Sequence, residues 1–592
     1  MTQKINLICT VLLGTVIVTG CSLSQMISMS EQQEFVVVPS PLELHGDDVA
    51  FEMSAKVPVK MLKKGKVYTV NTFYEYGGKE YAFDGIDYTR EQYPDYDTVE
   101  PQTNVNFSMP YEEDMKSGAL NIQGVASNPT NGKEKITDRL EISQGVITTS
   151  RLYKNVVYAA YAPHGYNNQE ELVPTNVDFY FLQGSAVLRT SEKRSDRGKG
   201  FNAFVAEKNA TRTVTITGTH SPEGAERINS SLSQNRAEAI QKYYKNQMQK
   251  YDYQGMVDEI SFILKPVVED WQEFKAHLAD YDGASDEDKA QISNVIDGSG
   301  SFEEKEDQLH KLSAYRKVFR DIYPKLRTAQ TEVLTVMDKK SDAEIAALSR
   351  QIVAGSVSSD TLSDQELGYA ATLTPSLDER EKIYLAATKK NDSWTSHNNL
   401  GAVYMEMAIK DKDWDMVAKA ETQFDIANKR TDNAYSNTNL AAIYFAQGNV
   451  AKADETISKA LTQSPSNELS AEINGVKGVI EIRQGKYDEA LRSLSNAKGT
   501  TENLYNKGLA QLMNHDHVEA IATFAEVDKR DDDDALDHYL SAIAATRLGD
   551  YEQGVELLAK AVKDDASLKE KAANDLEFLS IRSSPEFINA LK

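Results

Sequence analysis

The sequence predicts a multidomain protein with an N-terminal all-β, sandwich-like module, a central α/β domain with a helical insertion, and a C-terminal all-α solenoid. Three observations carry this. Residues 34–168 hold short strand-like runs between turn residues, with no sustained 3.6-residue period. Residues 170–340 alternate strands with helices, and residues 345–592 are helical with a countable repeat. A chain of 592 residues is about four times a ~150-residue domain, so several cores are expected. With 65 Lys plus Arg against 90 Asp plus Glu, the formal charge is -25, which repels phosphate polyanions and argues against nucleic-acid binding.

The only cysteines, Cys9 and Cys21, lie at the N-terminus, so the rest of the chain has no internal disulfide and no thiol nucleophile. Lys4 followed by the uncharged apolar run Leu7 to Thr19 reads as a signal peptide over residues 1–20, too short to span a ~30 Å hydrocarbon core. The next residues, Val18-Thr19-Gly20-Cys21, resemble the bacterial lipobox. That resemblance implies cleavage before Cys21 and lipidation of Cys21. Residues 21–33 read as a polar tether without the acidic cluster of surface-exported Bacteroidetes lipoproteins, so the expected location is the outer membrane, lipid-anchored and facing the periplasm.

In the β region, strands are expected at Val57–Leu62, Val67–Phe73, Ala119–Ala126, Gly145–Arg151 and Val156–Tyr161. Tyr74–Tyr76 and Lys79–Tyr81 flank Gly77-Gly78, a pair suited to the positive φ of a tight hairpin. Tyr74, Tyr76, Tyr81, Tyr88, Tyr93 and Tyr96 invite a glycan-binding or glycan-processing reading, but tyrosines in strands are better explained as cross-strand packing.

In the α/β region, strands are expected at Asn176–Phe181, Thr213–Thr217, Val257–Leu264 and Thr331–Met337. Helices are expected at Phe201–Lys208 and Ser233–Gln249, with an inserted helical stretch from Asp270 to Tyr323. Gly218, Gly224, Asn229, Leu232, Ser233, Arg236 and Ala237 stand at the offsets of the OmpA-like peptidoglycan-associating domain, which this region resembles. In that family an Asp and an Arg fifteen residues later grip the stem peptide, the carboxylate meeting an ammonium and the guanidinium a carboxylate. Arg236 holds the arginine position and Ser221 the aspartate position. The departure implies weakened or altered peptidoglycan binding, with Glu223 as substitute carboxylate. Gly218, Ser221, Glu223, Asn229 and Arg236 are the candidate binding residues.

From Ala434 onward, Leu440, Ala441, Tyr444, Gly448, Ala453, Ile457, Ala460 and Pro465 fit the 34-residue tetratricopeptide pattern. It recurs around Leu400–Phe424, Gly478–Ala497, Gly508–Phe524 and Ala542–Ala561, so this region resembles a TPR solenoid of at least five units. The combination looks like a Bacteroidetes-type envelope lipoprotein, implying a non-enzymatic scaffold with other envelope proteins as partners. No cofactor or metal is expected: His515-Asp516-His517 and Asp531–Asp534 read as solvated loops, and no catalytic motif appears.

Overall fold

The structure is a computed structural model that describes residues 22–253, 255–267, 271–531 and 534–592. The expected signal peptide and the lipidation expected at Cys21 lie outside the described residues. The chain divides into two compact units, residues 166–344 and the remainder.

The larger unit begins with the helix Ser22–Ser30. This is where a polar tether was expected. Leu23, Met26, Ile27 and Met29 recur at helical spacing, and the first two are fully buried in the core of the β module. The strands follow as β1 (Glu34–Val38), β2 (Leu42–His45), β3 (Asp48–Lys56), β4 (Val67–Tyr76), β5 (Lys79–Ala82), β6 (Ile86–Thr89), β7 (Gln102–Pro110), β8 (Ala119–Asn128), β9 (Lys133–Ile136), β10 (Leu140–Gln144) and β11 (Val146–Ile147). They form two sheets, one ordered β1-β3-β2-β11 with β7 also on β3, the other β10-β8-β4-β5 with β6 on β4 and β9 on β8. One core lies between them, contributed by β3 (Val49, Phe51, Met53) and by β4 (Tyr68, Val70, Tyr74). Strict alternation along β4 turns every second residue inward.

The Gly77-Gly78 hairpin forms as expected, with φ of 50° and 76° and Tyr76 opposite Lys79. Val57–Leu62 is not a strand. Pro58 lacks an N–H, and Lys60 takes a φ of 65°, so this buried apolar run turns instead of pairing. The tyrosines are packing residues: Tyr74, Tyr76 and Tyr88 are buried and Tyr81, Tyr93 and Tyr96 lean on the same core.

After the turn Thr149–Arg151 the chain runs extended to Gly165 without pairing to any strand. It lies instead along helical hairpins, five of which follow one another: Trp394–Asp411 with Trp414–Arg430, Ala434–Ala446 with Val450–Thr462, Asn467–Arg483 with Tyr487–Ser495, Thr501–Met513 with His517–Asp528, and Ala535–Leu548 with Tyr551–Asp564. The small residues of the repeat are required by close approach. A Cβ on Gly401 would stand 2.7 Å from the Phe424 ring, and one on Gly508 2.7 Å from Phe524.

The smaller unit carries β12 (Leu172–Tyr180), β13 (Thr211–Gly218), β14 (Ser261–Pro266) and β15 (Thr328–Val336) in the order β12-β15-β13-β14. Only the β13–β14 pair is parallel. The helices Asp196–Ala206 and Glu226–Lys250 cover the sheet, burying Phe201, Ala237, Ile240 and Tyr244 against Phe179, Val214 and Val333. Between β14 and β15 the expected helical stretch breaks into four short helices around a separate core of Phe274, Ile292, Ile296, Val318 and Tyr323. Among the described residues, no helix is long and apolar enough to cross a membrane.

Candidate functional site

The candidate site sits where β13 hands over to the helix Glu226–Lys250. Gly218 ends the strand directly beneath that helix: a Cβ there would lie 1.9 Å from the Ser233 carbonyl oxygen, so only glycine fits. Its role is strand–helix approach, and it stands outside the cleft lining. The loop then swings out through Gly224, at φ 96°, and Asn229 reaches back from the first turns of the helix to donate to the Glu223 and Gly224 carbonyls at 3.2 and 3.1 Å. Asn229 therefore sets the loop's shape.

Ser221, Glu223, Asn229 and Arg236 line one cleft of about 300 Å³, together with Gln183, Gly184 and His220. The Arg236 side chain is 1% exposed. Its Nε donates to the Ser185 carbonyl at 3.0 Å, Nη1 to Thr219 at 2.6 Å and Nη2 to Leu182 at 3.2 Å, so the guanidinium ties the opening turn after β12 to the end of β13. Burial, then the nearby charge of Arg327, pushes its pKa down to about 10, which still leaves it a cation at neutral pH. Three of its five N–H donors are committed, and two remain.

The second cation is Arg327, immediately before β15. Its Nε donates to Ser221 Oγ at 2.8 Å and to Glu223 Oε1 at 3.1 Å, while Nη2 reaches the same oxygen at 2.7 Å. Glu223 Oε2 is buried without a hydrogen bond. Sequence reading missed Arg327, because it lies 106 residues from Ser221 and carries no motif spacing of its own. The cleft thus carries one carboxylate and one guanidinium, Glu223 and Arg236, while Arg327, outside the lining, holds Ser221 and Glu223 in place.

Elsewhere, burial lowers the His517 pKa to about 4, so that ring is neutral at physiological pH. Of the aspartate run, residues 532 and 533 lie outside the described residues. Asp528, Asp537 and His538 place their donor atoms within 4.8 Å of one another, a grouping that sequence reading did not single out. Asp564 also approaches His538, at 3.5 Å, so the cluster is an imidazole among carboxylates.

The tetratricopeptide repeat model matches residues 434–467. Solved structures similar to the chain include YrrB, described as a TPR protein with an unusual peptide-binding site, at 17% identity over 31% of this chain and 92% of that one, with a TM-score of 0.27. PilF of Pseudomonas aeruginosa matches at 15% identity over 41% of this chain and 99% of that one, TM-score 0.28. A tetratricopeptide repeat protein from Parabacteroides merdae matches at 16% identity over 42% and 97%, TM-score 0.26. No curated protein matches the chain. The match falls on the hairpin Ala434–Ala446 with Val450–Thr462, and helical hairpins of the same kind precede and follow it.

Proposed function

We propose that this chain is a non-enzymatic cell-envelope lipoprotein, anchored in the outer membrane through Cys21, that links it to peptidoglycan through an OmpA-like unit and holds envelope proteins on its repeat array. The observation that carries the wall contact is the cleft itself, whose lining holds both a carboxylate, Glu223, and a guanidinium, Arg236, the opposite charges that a stem peptide with an ammonium and a carboxylate requires. Glu223 supplies the carboxylate that the Ser221 position lacks, and its Oε2 has no hydrogen-bond partner. The anchor reading gains from the helix Ser22–Ser30. It starts one residue after Cys21, so acyl chains there would hold the sandwich at the membrane surface without a slack linker.

The test is co-sedimentation of the full chain carrying Cys21→Ala with isolated sacculi. Glu223→Gln is expected to weaken binding about 10-fold, since it removes a charge-assisted partner worth roughly 1.5–3 kcal/mol. Ser221→Asp is expected to strengthen binding to walls containing diaminopimelate. If the wild type stays in the supernatant and Ser221→Asp does not rescue it, the wall contact is wrong and the unit serves only as a docking module.

A further inference from the structure

The partner face of the array is already occupied. Residues 152–162 run across the first helices of four successive hairpins, from Thr501–Met513 back to Trp394–Asp411, His164 and Gly165 reach the helix Asp364–Ala370, and three asparagines hold the backbone in the same way. Asn506 Oδ1 accepts from Lys154 N–H and Nδ2 donates to the Lys154 carbonyl, both at 2.8 Å. Asn439 does this to Ala160 at 2.8 and 3.0 Å, and Asn399 to Ala162 at 2.7 and 2.9 Å. Each carboxamide offers the donor and acceptor that a neighbouring β-strand would offer, so the segment is stretched as a strand whose ladder partners are side chains. Asn439 stands nine residues before Gly448 and Asn506 nine before His515, the residues with positive φ at the hairpin turns; the same count back from Gly485 gives Val476, and that repeat makes no clamp.

These bonds read backbone, and the space between them reads size. Ala160 and Ala162 are 2% and 3% exposed, which leaves no room for long side chains at those positions. At the other end, Lys154 pairs with Asp534 and its ammonium sits 4.6 Å over the Tyr505 ring. None of these contacts depends on the segment being part of the same chain.

We propose that this face is a backbone-reading peptide groove that the chain fills with its own residues 152–165, and that an extended partner segment, with a lysine six residues before the first of two small residues spaced two apart, binds by displacing them. The proposal rests on the scaffold reading of the array and is independent of the cleft around Arg236. Tethering gives the resident segment an effective concentration in the millimolar range, so a free peptide of equal intrinsic affinity competes poorly until the segment is released.

The test measures fluorescence anisotropy of a labelled synthetic peptide of residues 152–165 against the full chain. The variant Ala160→Pro with Ala162→Pro removes the two N–H donors that Asn439 and Asn399 accept from and leaves the array untouched. It is expected to bind the peptide at least 10-fold more tightly than the wild type, and adding Asn439→Ala is expected to reverse that gain. Equal affinity for wild type and the proline variant overturns the proposal. If circular dichroism finds the proline variant unfolded, hydrogen exchange of the wild type decides: amides of Lys154, Ala160 and Ala162 opening at lower denaturant than the array's helices supports displacement, and their opening only together with those helices overturns it.

Discussion

The Arg547 guanidinium lies 3.0 Å from the Glu43 carboxylate, so the last hairpin of the array and strand β2 of the sandwich share one ion cluster. Arg547 also makes a two-point contact with Glu577, at 2.8 and 2.7 Å, and Glu577 accepts from Thr149 Oγ1. The cluster and the clamped segment fasten the β module to the array at two separate places.

Burial pushes the Glu43 pKa up, but the charge of Arg547 and the His45 hydrogen bond outweigh it and bring it down to about 2. A depressed carboxyl pKa contributes stability that is present above its ordinary value of 4.5 and is lost as pH falls through about 2. The contribution is on the order of 3 kcal/mol at most. Glu43→Gln is therefore expected to flatten the dependence of urea stability on pH between about 4.5 and 2, and Arg547→Met, which strands two carboxylates, to cost roughly 3–5 kcal/mol at pH 7. An unchanged acid limb in the Glu43→Gln chain would mean that the pair forms without stabilising the fold.

Arg236 is expected to behave first as a residue that holds the smaller unit together. Arg236→Ala leaves the buried Thr219 carbonyl without its donor, at roughly 1–3 kcal/mol for a buried group left unsatisfied, while the exposed Leu182 carbonyl still accepts from the Ser185 N–H. The stability of Arg236→Ala to urea should fall by roughly 1–3 kcal/mol, with Arg236→Lys recovering part of the loss because an ammonium still donates. A change under 1 kcal/mol in the alanine variant would show that water replaces the guanidinium freely. Sacculus binding is for this reason better probed at Glu223.

On the proposed lipid anchor, Cys21→Ala is expected to move the protein from the membrane fraction to the soluble fraction, because no cysteine follows residue 21. Retention with membranes after a high-salt wash would rule out the lipid anchor.

The repeat array was legible because its signal is steric: the glycines that the 34-residue spacing picks out are the points where Phe424 and Phe524 leave no room for a Cβ. The hairpin at Gly77-Gly78 was legible for the equivalent reason in dihedral space. The clamps were not. An asparagine inside a helix has no periodic partner in sequence, and the bonds it makes here span 237 to 352 residues. Val156–Tyr161 was expected as a strand and forms none; the backbone at Ala160 and Ala162 pairs with carboxamides instead. Arg327 escaped notice for the same reason as the clamps. The helix at Ser22–Ser30 was hidden by its polar composition, although Leu23 and Met26 seat it in the core with Ile27 and Met29 packed beside them.

Asp537 is expected to destabilise the array at neutral pH. It is 1% exposed, its Oδ1 accepts from the His538 N–H, and its Oδ2 has no hydrogen bond. Burial, aided by the charges of Asp534 and Asp528, pushes its pKa from 3.8 to about 7. The folded state thus holds this proton more tightly than the unfolded chain. Stability from this group is full below 3.8 and is lost as pH rises through about 7, by up to roughly 4 kcal/mol. Asp537→Asn is neutral throughout and keeps an acceptor for the His538 N–H. Its melting temperature should match the wild type near pH 4 and exceed it at pH 8, by an amount corresponding to about 1–3 kcal/mol. A variant less stable than the wild type at pH 8 would mean that the ionised carboxylate, held among Lys154 and His538, is what the array requires.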